Sequence, residues 1–219
     1  MKIIFAVFLI LHILGGSVGL ITGTINLIRK KGDKKHKLLG KFFIYSMLTA
    51  GISSLILAII HPNYFLFIVG VFTIYLTVTG NRYLYLKMLG NNQRPTPFDW
   101  AITITMLITG SLFIGFGILH LIKNNNFGIV FIVFGLVGMR FVQADFKNYK
   151  GNIIAKNYWL LSHLQRMIGA YIASATAFIV VNAKYFPKQI PSSFYWLLPT
   201  IILLPFIIYW TKKYRIENK

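Results

Sequence analysis

The chain has 219 residues, 56% of them hydrophobic and only 12% charged. That balance excludes a water-soluble domain, because one compact core cannot hide so much apolar surface. The absence of cysteine excludes disulfides, thiolate metal sites and a cysteine nucleophile. The net charge of +19 sits in short segments between apolar runs, which excludes a groove-filling basic helix and points away from nucleic acid.

The apolar runs predict an all-α membrane protein, a single domain over 1–219 with seven transmembrane helices at roughly 3–28, 39–61, 64–85, 100–122, 127–146, 158–182 and 194–212. On the first span His12, Gly16, Gly19, Gly23 and Asn26 recur at 4, 3, 4, 3 spacing. They form one stripe, and small residues on it predict close approach of a neighbouring helix. A signal-peptide reading of this segment fails, because cleavage at "GSVG" would leave the basic stretch 29–41 on the wrong side. The second span repeats the pattern with His36, Gly40, Met47, Ala50 and Ser54 and ends near His61; the fourth ends at His120. The fifth carries Arg140 and Asp145.

In the sixth span, "WLLSHLQRM" places His163, Gln165 and Arg166 where lipid is expected. His163, Arg166, Ala170, Ala173 and Ala177 share one face, so the two polar groups point into the bundle. Each ionisable group at the centre of a bilayer costs about 3 kcal/mol on insertion scales, so a cluster of them predicts a site. Arg140 and Arg166 fall at similar depth, with Asp145 the one acid near enough to offset them. The seventh span, with Pro199 and Pro205, reads as kinked and structural. Trp100, Trp159, Tyr64, Tyr158, Tyr195 and Trp196 lie near span ends, as interfacial anchors do.

Eighteen lysines and arginines fall in the connections and adjoining span ends on one side and four on the other. The charge rule then predicts an outside N-terminus and a cytoplasmic C-terminus. Spans one to three and five to seven share orientation, which suggests a 3+1+3 parallel pseudo-repeat.

The pattern His12-x3-Gly16, a basic loop, His36-x3-Gly40 with Tyr45, then "HLQRMIGAY" resembles an uncharacterised family of bacterial integral membrane proteins, domain of unknown function 2306. His163, Met167 and Tyr171 match that family's late motif; Arg166 stands where Trp is usual and Gly169 where Arg is usual. The resemblance implies a multi-pass helical bundle in the bacterial inner (cytoplasmic) membrane and supplies no reaction.

These residues predict a His/Arg-lined intramembrane site on the cytoplasmic half, with His12, Asn26, His36, Arg140, Asp145, His163, Gln165 and Arg166 as ligand-binding candidates. A small ligand or b-type haem-like cofactor is the leading expectation, with His36 and His163, or His61 and His120, as axial pairs. A transporter or channel for an anionic solute or protons is the alternative, and a structural membrane partner without chemistry is a further one. A metal hydrolase lacks a His-x3-His pair, and a retinal protein lacks a lysine in the last span before Lys212. The expected partners are the lipid bilayer and a small molecule.

Overall fold

The computed structural model describes residues 2–187, 189 and 192–217. Among these, seven helices are long and apolar enough to cross a membrane. They are α1 (Lys2–Ile28), α2 (Lys34–Ile60), α3 (Tyr64–Arg82), α4 (Pro97–Ile122), α5 (Gly128–Tyr149), α6 (Tyr158–Val181) and α7 (Ser192–Tyr214). No β-strand occurs among the described residues; Leu89 with Gln93 and Ala155 with Glu217 form isolated bridges.

The helix starts differ from the predicted ones for one physical reason. A lysine reads as loop on a hydropathy scale, yet a helix continues past the hydrocarbon if something satisfies its first N–H groups. α2 begins five residues early because Asp33 accepts the His36 N–H and caps it. α4 begins at Pro97 because Thr96 and Asp99 form a capping box with proline in the first turn. Replacing Thr96 with Ala removes that cap and is expected to cost about 1 kcal/mol of unfolding free energy, measured by thermal or denaturant unfolding in detergent.

The chain forms two compact units, residues 1–80 with 163–214 and residues 81–162 with 215–219. In the first, α1 packs along α2. A Cβ on Gly15 would sit 2.9 Å from the Ser46 carbonyl oxygen and 3.1 Å from the Ala50 nitrogen, so only glycine permits this approach. The stripe predicted from spacing holds at Gly19 and Gly23, which are buried against Met47 and Tyr171, but not at Gly16, where a Cβ meets nothing within 4 Å. The facing stripe of α2 holds as expected, with Met47, Ala50 and Ser54 buried. On α6, Arg166, Ala170 and Ala173 are buried as the spacing predicts. α7 runs as a helix through Pro199 and Pro205.

In the second unit α4 packs along α5. Tyr83, Leu86, Leu89, Tyr149 and Tyr158 form its buried aromatic cluster, with Trp100 and Trp159 packed against it. Tyr158 is therefore no interfacial anchor. Its hydroxyl donates to the Leu86 carbonyl at 2.5 Å and accepts the Leu89 N–H at 2.8 Å. The tail is strapped on by Ile216, whose N–H reaches the Asn157 side chain and whose carbonyl accepts from Lys156.

Candidate functional site

The turn joining α1 to α2 concentrates polar groups at one end of the first unit. Asn26 Nδ2 donates to the His36 carbonyl at 3.2 Å, fixing which way its amide points. Asp33 accepts from the His36 N–H at 2.6 Å and from Arg29 Nη2 at 2.8 Å. Lys31 Nζ donates to the carbonyls of Asn26 and Leu27, the last turn of α1, and lies 4.1 Å over the Trp210 ring. A lysine there offsets the negative end of the helix dipole and satisfies carbonyls the helix leaves open.

This network satisfies the backbone and leaves side-chain atoms over. Asn26 Oδ1, Arg29 Nε and His36 Nδ1 are buried and without a hydrogen-bond partner. Among the described residues two further buried atoms share that condition, Thr73 Oγ1 and Thr77 Oγ1 on α3. Each such atom costs about 1–3 kcal/mol if left unmade. Three of them fall in one turn, with two kinds of demand: Asn26 Oδ1 needs a donor, and the Arg29 N–H needs an acceptor.

Charge in the turn is strongly positive. The Arg29 hydrogen bond, followed by that of the His36 N–H, holds the Asp33 carboxyl below its usual value. Burial lowers the Lys31 ammonium from the usual lysine value. The depressed Asp33 value has a testable consequence. The stability Asp33 contributes is present above its unfolded-state value and is lost as pH falls through the lower folded value. Thermal unfolding followed from neutral to acid pH is expected to show this loss, and Asp33→Asn is expected to flatten it.

His163 lies in the second turn of α6. Its Nδ1 lies 2.9 Å from the Gly80 carbonyl. A carbonyl only accepts, so Nδ1 carries a proton and Nε2 is the nitrogen left for any other partner. One turn further, Arg166 is 1% exposed and donates from Nε to Thr79 Oγ1 at 3.1 Å. Gly80 lets α3 and α6 meet here, since a Cβ would sit 3.0 Å from Arg166 Cβ. Asn26 and His36 thus meet across the α1–α2 turn, and His163 and Arg166 meet the end of α3 at Gly80 and Thr79.

The other predicted residues go elsewhere. His12 bonds through Nδ1 to the Ala50 carbonyl, 3.0 Å away, and serves the α1–α2 contact. Gln165 reaches Thr211 on α7 at 3.4 Å. His61 is exposed and meets Phe5 edge-on, with ring centroids 4.6 Å apart. His120 bonds back to Phe116 of its own helix at 2.8 Å. Arg140 is exposed on α5 rather than buried at the depth the spacing suggested. Asp145 is fully buried in the second unit and accepts from Tyr83 at 2.6 Å and Thr103 at 3.3 Å. Among the described residues no group of three or more His, Cys, Asp or Glu is placed to hold a metal ion.

Arg29, Lys31 and Asp33 were legible only as loop charge. A sharper signal was present: one of only four acids in the chain, set inside a basic segment at 3, 4, 3 spacing over Asn26, Arg29, Asp33 and His36. A second feature was not legible at all. An apolar groove of about 610 Å³ runs between α1, α6 and α7, lined among others by Thr24, Leu27, Tyr171, Ala175, Ile202 and Trp210. No histidine lines it.

The chain matches no family model, no curated protein and no solved structure.

Proposed function

We propose that this multi-pass membrane protein binds a small anionic ligand in the Asn26–Arg29–His36 turn, with His163 and Arg166 completing a His/Arg-lined site. The observation that carries the reading is the set of three buried side-chain atoms without partners in one positively charged turn. A ligand offering acceptor oxygens to Arg29 and His36 and one O–H to Asn26 Oδ1 satisfies all three. On the charge rule this end is cytoplasmic, and the family resemblance would place the protein in a bacterial inner membrane. The test is thermal unfolding of the full chain in detergent with added inorganic phosphate. Phosphate is expected to stabilise it against a chloride control of equal ionic strength, and His36→Ala to remove the effect.

A b-type haem is the narrower form of the same reading. The His163 tautomer supports it by leaving Nε2 as an axial ligand. The groove weighs against it, because no histidine lines that cavity. A Soret band in the purified protein is its test, and spectra without one remove the haem form while leaving the anion site standing.

Transport of an anionic solute is the second reading, favoured by a full cation buried at Arg166. Proteoliposome uptake separates it from binding alone, since transport requires flux that His163→Ala abolishes.

A further inference from the structure

Building on the anion site above, we propose that its ligand is a membrane phospholipid with an anionic, hydroxyl-bearing headgroup of the phosphatidylglycerol kind, one acyl chain of which lies in the α1–α6–α7 groove. The headgroup end and the tail end are continuous. Leu27 lines the groove and its carbonyl binds Lys31; Lys31 stacks on Trp210, which lines the same groove. A ligand in the turn therefore has the groove mouth beside it.

The groove fits hydrocarbon. Its volume of about 610 Å³ lies within the usual range for small-molecule sites. Its wall on α7 runs from Leu198 to Trp210, about 18 Å at about 1.5 Å per residue, which matches one leaflet of a hydrocarbon core about 30 Å thick. The two hydroxyls of the wall ask nothing of an occupant. Thr24 and Tyr171 bond each other at 2.6 Å, and Thr24 also donates to the Leu20 carbonyl.

Charge and hydrogen-bond demand choose the headgroup. Arg29, Lys30, Lys31, Lys34, Lys35 and Lys37 surround the turn, and the nearby acid Asp33 is already held by Arg29. A phosphate is the complement to that field. Asn26 Oδ1, an amide oxygen, can only accept, and the Nδ2 bond to the His36 carbonyl fixes which way that oxygen faces. The headgroup must therefore also donate, which a glycerol hydroxyl does and a choline cannot. Free phosphate meets the polar demand but brings nothing for the groove.

The test uses the full chain, delipidated in detergent, with Trp210 left as sole tryptophan by Trp100→Phe, Trp159→Phe and Trp196→Phe. It is titrated with phosphatidylglycerol or phosphatidylcholine carrying brominated acyl chains, which quench tryptophan on contact. Phosphatidylglycerol is expected to quench Trp210 saturably, with at least tenfold tighter apparent binding than phosphatidylcholine. Ala175→Phe, which fills the groove, is expected to weaken that quenching at least tenfold while phosphate still stabilises the protein. Native mass spectrometry of the unaltered chain gives the same comparison without substitution, one phosphatidylglycerol retained in preference to phosphatidylcholine. Equal quenching and equal retention of the two lipids overturn the lipid assignment. If phosphate still stabilises the chain, the anion site survives that result; if phosphate has no effect either, both readings fall.

Discussion

Replacing Gly15 with Val is expected to destabilise the first unit by about 3 kcal/mol, the upper part of the overpacking range. The reason is geometric. The nearest obstacles to a Cβ at Gly15 are backbone atoms of α2, the Ser46 oxygen and the Ala50 nitrogen, and backbone cannot rotate aside as a side-chain tip can. α1 must move off α2. His12 then loses the Ala50 carbonyl, and Asn26 and Arg29, carried at the far end of α1, lose their register with His36. Gly16→Val is the matched control, with the same side chain one position along and nothing within 4 Å of the new Cβ. Its effect is expected to stay within about 0.5 kcal/mol, as for other surface changes. Unfolding of both variants in detergent, followed by circular dichroism, checks the pair.

The second large effect concerns the ligand. At phosphate a hundredfold above its dissociation constant, linkage adds about 2.7 kcal/mol to the folded state. His36→Ala and Arg29→Ala each remove a group that faces the ligand, so each is expected to abolish nearly all of that gain. Without phosphate the two variants part company. Arg29→Ala also removes the partner of Asp33, a half-buried pair whose loss costs up to about 1 kcal/mol. His36→Ala removes a buried ring atom that has no partner, and in the ligand-free protein that loss is close to neutral. A variant that abolishes the phosphate gain while keeping basal stability separates binding from folding.

Much of the fold was legible because lipid imposes a simple rule: a span must be long, apolar and helical. The helix starts were less legible, because capping at Asp33 and Thr96 is local chemistry that hydropathy ignores. The inward faces of α2 and α6 were legible from spacing. On α1 the spacing found Gly19 and Gly23 but took Gly16 for Gly15, since the two are equally small and only the neighbour's position tells them apart. Asn26, His36 and His163 were recognisable as inward polar groups, yet their association depends on which helices adjoin. Arg140 shows the limit from the other side: Gly128, Gly135 and Gly138 mark the buried face of α5, and Arg140 lies off that stripe, so a depth read from spacing did not give its face. The groove was invisible for the same reason, being made by α1 together with α6 and α7 from the other end of the chain.

The measurement that tests the central claim most directly is a crystal structure of the full chain grown in a phosphatidylglycerol-doped lipid mesophase. The account predicts density for a phosphate bonded to Arg29 Nε and His36 Nδ1, with a hydroxyl on Asn26 Oδ1. Side chains of all three turned out to solvent, with no anion in the turn, contradict it.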